Sequence, residues 1–285
     1  MTKKILVMVV GLFCLGSFTA AAAPYHGVYG QGQEKFTLAT GSPGELGLLE
    51  ALAAGFDKAM QGRITLQWIK AGSGESLQLL KDKKVDMIMV HAPAAEQQAV
   101  REGWATDRTL IGSNEFFLVG PASDPARIAE AKSALEAYRR IANAQAKFFS
   151  RGDNSGTHKK ELHIWKEAGI KPGGDWYIVT KDFMTATLKR ADQEKGYFMV
   201  DSSTWVAEKK AAPNLKILYQ GDKMLVNTYN ALCQPAGATP GAALAGKFIA
   251  FVASPQGQKI IQDYGRDRYG EGLYNDAAYA RQYDQ

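Results

Sequence analysis

Three short runs carry residue types that could hold an anion without doing chemistry on it. They are Thr40-Gly41-Ser42-Pro43-Gly44, Ala71-Gly72-Ser73-Gly74, and Ser150-Arg151-Gly152-Asp153-Asn154-Ser155-Gly156-Thr157. Glycine lets backbone N–H groups approach a ligand closely. The hydroxyls of Thr40, Ser42 and Ser73 can donate hydrogen bonds without adding charge, and Gly41 can offer its N–H. Arg151 is the one guanidinium in these runs, able to give a planar two-pronged hydrogen bond to an oxyanion. Thr157 lies where the following helix is expected to start, so its N–H and hydroxyl are both on offer there. Asp153 would repel an anion; its expected roles are capping that helix or pairing with Arg151.

Other chemistries were weighed against this one. A Gly/Ser loop before a helix is often only a capped turn, and an arginine there only a surface residue. Arg151-Gly152-Asp153 matches a cell-adhesion tripeptide, but that role needs an exposed loop tip and this run leads into a helix. Ser155 and His158 suggest a secreted hydrolase, yet the chain lacks a Gly-x-Ser-x-Gly nucleophile elbow and an orienting acid. His26, His91, His158 and His163 show no metal-ligand spacing, so neither a metal site nor a cofactor is expected. His91 is expected to be a loop residue with a satisfied hydrogen bond. Cys233 reads as a small buried apolar residue.

The elements that must position these runs follow from hydrophobic periodicity. Strands are expected at 36–38, 64–69 and 85–90, each leading through a small-residue loop to a helix, at 45–60, 75–81 and 94–102. A strand at 116–121 leaves this unit. A second unit follows, with helices at 127–144 and 156–168, a strand end at 148–149, and strands at 176–180, 196–201 and 215–219. Residues 224–232 return to the first unit, and helices at 240–253 and 255–264 complete it, Ser254 capping the last. This alternation predicts an α/β architecture of two lobes, joined by two hinge crossings, with an interdomain cleft between them. Ligands of open α/β sheets bind at the carboxyl edge of the strands, where all three runs fall.

The amino-terminus sets the compartment. Lys3 and Lys4 precede an apolar run from Ile5 to Phe18 and the small residues Thr19 to Ala23. That order reads as a secretory signal peptide, 1–22, and the run is shorter than the roughly 20 residues of a membrane span. Its removal would take the formal charge from +5 to +3, by loss of Lys3 and Lys4. No Lys/Arg run of the density nucleic acid requires is present. The lobes are expected at 23–119 with 225–285, and at 120–224.

With these residues in view, the chain resembles the tungstate-binding proteins of bacterial ABC importers. The segments that carry the likeness are 85–96, 117–121 with Asp124-Pro125, 149–161 continuing through Trp165-Lys166-Glu167-Ala168-Gly169, and 248–261 with Ser254-Pro255-x-Gly257-Gln258-Lys259. The likeness implies a type II periplasmic binding protein fold. It also implies a periplasmic monomer that captures a small oxyanion, tungstate or molybdate, for an inner-membrane permease and ATPase. In that family the arginine and the last threonine of the Ser-Arg-Gly-Asp-x-Ser-Gly-Thr run contact the oxyanion, here Arg151 and Thr157. The family's first loop, Thr-Thr-Thr-Ser-Thr, reads Ala39-Thr40-Gly41-Ser42-Pro43, so Thr40 and Ser42 survive while Pro43 lacks an N–H. A later loop, Gly-Met-Gly-Ala-Thr-Leu, reads Phe183-Met184-Thr185-Ala186-Thr187-Leu188, which leaves the Met184 N–H as a donor. Each donor missing from the first loop could cost about 1–3 kcal/mol where nothing replaces it. Two outcomes stay open: the Gly41 N–H preserves the oxyanion site, or the pocket serves another small anion, such as an organic acid.

Overall fold

The computed structural model describes residues 25–284; the expected signal peptide, 1–22, lies outside them. In chain order the elements are β1 (Gly27–Tyr29), β2 (Glu34–Thr40), α1 (Ser42–Glu45), α2 (Leu48–Ala59), β3 (Ile64–Lys70), α3 (Ser73–Lys81), β4 (Met87–Val90), α4 (Pro93–Arg101) and the long β5 (Thr106–Pro121). Then come α5 (Ala134–Asn143), β6 (Phe148–Ser150), α6 (Gly156–Glu167), β7 (Tyr177–Val179), α7 (Met184–Glu194), β8 (Tyr197–Asp201), α8 (Ser202–Glu208) and β9 (Leu215–Tyr219). The chain closes with β10 (Val226–Cys233), α9 (Ala242–Ala253), α10 (Pro255–Asp263), α11 (Arg266–Tyr269), β11 (Asn275–Asp276) and α12 (Ala277–Ala280).

The strands lie in the order β1-β3-β2-β4-β10-β5-β8-β6-β7, with β9 and β11 also on β5. Two parallel groups, β3-β2-β4 and β8-β6-β7, are joined through antiparallel β10 and β5. The carboxyl half of β5 pairs with β8 and its amino half with β10, so one strand runs through both groups.

Successive side chains of a strand point to opposite faces of its sheet. In β4, Met87 and Met89 enter one core with Phe36, Leu52, Phe56 and Phe248, while Ile88 and Val90 enter another with Leu77, Leu80 and Ala99. All four are buried, as expected of a strand covered on both faces. A separate core gathers Phe116, Tyr138, Phe148, Trp165 and Phe198 around the second parallel group.

Three expected elements take another form. The helix at 45–60 is two helices, because Gly47 sits at φ 87°, which ends α1 and turns the chain into α2. The helix at 127–144 yields only α5 after a 3₁₀ turn at Ile128–Glu130. There Ser133 accepts from the Glu136 N–H while the Glu136 carboxylate accepts from the Lys132 N–H, so this serine and glutamate cap the helix start. The strand at 116–121 is the end of β5, which begins ten residues earlier. Polar residues hide that first half: Arg108 pairs with Glu96 (3.1 Å) and Asp284 (2.9 Å), and Asn114 donates to Asp201 and Ser203. Ser254 caps α10 as expected, and Cys233 is buried, with its thiol pushed up to about 12 by burial.

Candidate anion-binding site

The carboxyl ends of the two parallel groups face one another. β2, β3 and β4 end at Thr40, Lys70 and Val90; β6 and β7 end at Ser150 and Val179. The loops after them enclose a narrow cavity of about 10 Å3, roughly the space of one water molecule. Thr40, Gly41, Ser42, Ser73, His91, Arg151, Ser155, Phe183 and Tyr229 line it.

The two sides meet at van der Waals distance. A Cβ built on Gly72 would lie 3.2 Å from the Ser155 Cβ, and one on Gly74 2.6 Å from Asn154. A Cβ on Gly156 would lie 2.4 Å from the His91 ring. Glycine at these positions is what lets the second run and the loop after β4 close on the third run.

Arg151 is buried, 4% exposed. One terminal nitrogen pairs with Asp153 Oδ2 at 2.5 Å, and its Nε has no partner among the described residues. Its guanidinium carbon lies 5.5 Å from the centre of the Phe183 ring. Of its two expected roles, Asp153 takes the pairing; its other oxygen accepts from the Ser155 N–H (3.1 Å), while the capping falls to Ser155, which accepts from the His158 N–H (3.3 Å). Burial of Arg151 also places this arginine off any exposed loop tip.

The other expected donors divide into groups. Thr40 lines the cavity, but its hydroxyl donates to the Met89 carbonyl at 2.8 Å. Ser73 accepts from the His91 N–H (3.3 Å) and keeps its own proton to donate. Ser42 and Gly41 lie at the start of α1 on the cavity wall. Thr157 and Met184 do not line it. They are buried in the first turns of α6 and α7, and the residues that cap those helices, Ser155 and Phe183, line it instead.

His91, Phe183, Tyr229 and Ser155 join the site without having been read as ligand residues. The His91 expectation is met in part: it is a loop residue whose backbone N–H is bonded to Ser73 and whose side chain shares a hydrogen bond with Asn227, but the buried ring Nδ1 has no partner among the described residues. The ring packs 5.0 Å from Tyr229, and burial together with the Arg151 charge pushes its pKa down to about 3. It is therefore a neutral imidazole at physiological pH. Its position in Val90-His91-Ala92-Pro93, at a strand-to-helix junction like the other loops, was the signal that could have found it.

A Ser155–His158 catalytic pair is not assembled. Ser155 Oγ caps α6, and the His158 Nδ1 accepts from the Asn154 N–H at 3.1 Å. Among the described residues no group of three or more His, Cys, Asp or Glu could hold a metal ion. The cavity is thus lined by neutral hydrogen-bonding groups and one cation.

A family model, the PBP superfamily domain, matches residues 27–256. The chain is 36% identical to the tungstate-binding protein TupA of Peptoclostridium acidaminophilum, over 82% of each chain. Among solved structures it is similar to the tungstate ABC transporter protein from Geobacter sulfurreducens, at 37% identity and a TM-score of 0.74, over 82% of this chain and 100% of that one. It is also similar to the tungstate-binding protein TupA from Desulfovibrio alaskensis, at 37% identity and a TM-score of 0.70, over 85% and 98%. The chain thus belongs to the PBP superfamily and, within it, to the family of the tungstate-binding proteins of ABC transporters.

Proposed function

We propose that this protein captures a tetrahedral oxyanion, tungstate or molybdate, in the periplasm. It hands the anion to the permease and ATPase of an inner-membrane ABC importer and does no chemistry on it. The observation that carries this reading is the buried guanidinium of Arg151, with a free Nε, among hydroxyls and helix starts from both sides of a closed cavity. A buried cation beside neutral donors suits a desolvated anion.

In this reading Arg151 supplies the charge, Ser42 and Ser73 their hydroxyls and Gly41 its N–H. Thr157 and Met184 add N–H groups from two helix starts. Thr40 shapes the wall, since its proton is already committed to Met89. The division into lobes is proposed with it: residues 23–119 and 225–285 against 120–224. The separate cores support two lobes and favour a crossing slightly before 119, as Phe116, Leu118 and Val119 pack with the second. A tetrahedral anion exceeds the present cavity, so the lobes part to admit it and close over it. The tight walls support a compact ligand over an extended organic acid.

Titration calorimetry with tungstate, molybdate, sulfate and phosphate tests the reading. Binding of at least one at micromolar ligand is expected, weakened tenfold or more (roughly 1.4 kcal/mol) by Arg151→Ala. No heat with any of the four would overturn it.

A further inference from the structure

Beside the cavity, a line of groups crosses from one side to the other. On the first side, Lys70 ends β3, and its ammonium pairs with Glu45 at 2.6 Å. The same ammonium stands 4.2 Å from the centre of the Phe183 ring. On the second side, Phe183 caps α7 and its ring lies 5.5 Å from the Arg151 guanidinium carbon. The aromatic ring thus lies within reach of two cations that belong to opposite sides, at distances where the ring face attracts both.

Phe183 is fixed to its own side. Its carbonyl accepts from the Thr187 N–H at 3.0 Å, the first turn of α7. Lys70 is fixed to the other by its place at the end of β3 and by Glu45. Among the described residues the chain passes between the two sides along β5 and again in the segment before β10. The contact joins the two sides in this structure, and a hinge movement that parted them would break it.

We propose that Phe183 is a closure and size-selecting residue of this site, held shut by Lys70. The proposal rests on the anion-binding reading above. The ring seals the entrance, excludes water from the Arg151 guanidinium, and occupies the space an extended carboxylate would need. Its contact with Lys70 stabilises the closed state alone, so it slows release of the anion rather than speeding its capture.

A double-mutant cycle on the full mature chain tests this, with tungstate release followed by stopped-flow tryptophan fluorescence. Phe183→Ala should raise the release rate about tenfold and Lys70→Met about fivefold, the range open to a partly buried cation–ring contact. Lys70→Met should add little to Phe183→Ala. Phe183→Leu, which keeps the apolar seal, should release faster than the parent chain and still reject carboxylates. Phe183→Ala should gain a thermal shift with malonate that the parent chain lacks. Additive effects of Lys70→Met and Phe183→Ala, or an unchanged release rate in Phe183→Ala, would overturn the latch while leaving anion binding intact. A parent chain that binds none of the four oxyanions would overturn both.

Discussion

Arg151 and His91 divide the electrostatic work of the site between them. The buried Arg151 guanidinium has the Asp153 carboxylate against it, at 2.5 Å. His91 stays neutral because burial and the same guanidinium disfavour a second positive charge, which holds its pKa near 3. His158 is also pushed down, chiefly by burial. The His91 imidazole gains no proton between pH 5.5 and 8, so its contribution to the affinity for a fully ionised oxyanion should change less than about threefold over that range. Calorimetry at several pH values checks this. A tenfold tightening toward pH 5.5 would mean that an imidazole charges on binding.

At the scale of elements, the site depends on how closely α6 can approach the loop after β4. Gly156 is the first residue of α6, and a Cβ there would press on the His91 ring at 2.4 Å. That ring is buried and packed on Tyr229 and cannot easily give way. Alanine suits a helix, so Gly156→Ala should leave folding intact and hold the two sides apart. We expect an affinity loss of about tenfold, with little change in melting temperature without ligand. Equal affinity in the two proteins would show that closure does not need this contact. Helix starts are legible in a sequence where caps are local: Ser254 caps α10 as its position predicts. The Ser133–Glu136 pair carries the same signal, beneath an apolar periodicity that runs through it.

Across the whole molecule, buried carboxyl groups couple stability to pH. Glu161 is buried on α6, where its oxygen accepts from the Tyr177 hydroxyl (2.6 Å) and the Trp165 Nε1–H (3.2 Å). Burial raises its pKa from 4.5 to about 7. The folded chain then holds a proton that the unfolded chain releases above pH 4.5. Its contribution is fully present below pH 4.5 and is lost as pH rises to 7. Glu161→Gln keeps the acceptor oxygen and removes the titration. Relative to the parent, this variant should gain roughly 3 kcal/mol between pH 4.5 and 8. Melting curves across that range check the prediction, and parallel curves for the two proteins would contradict it.

By itself the sequence determined the alternation of strands and helices, the glycine and hydroxyl loops at the strand ends, and Arg151 as the cation among them. Those properties are set by side-chain periodicity and by residues a few positions apart. Only the tertiary structure decided that β5 runs through both halves, because its amino half is polar and those groups find partners far along the chain: Asp284 for Arg108, Asp201 for Asn114. It also decided the cavity wall. His91, Phe183 and Tyr229 come from separate elements and meet Arg151 only once those elements are packed together. Thr40 shows the converse. Its type suited a ligand donor, yet its hydroxyl is taken by Met89, a contact that exists only once β2 and β4 lie side by side.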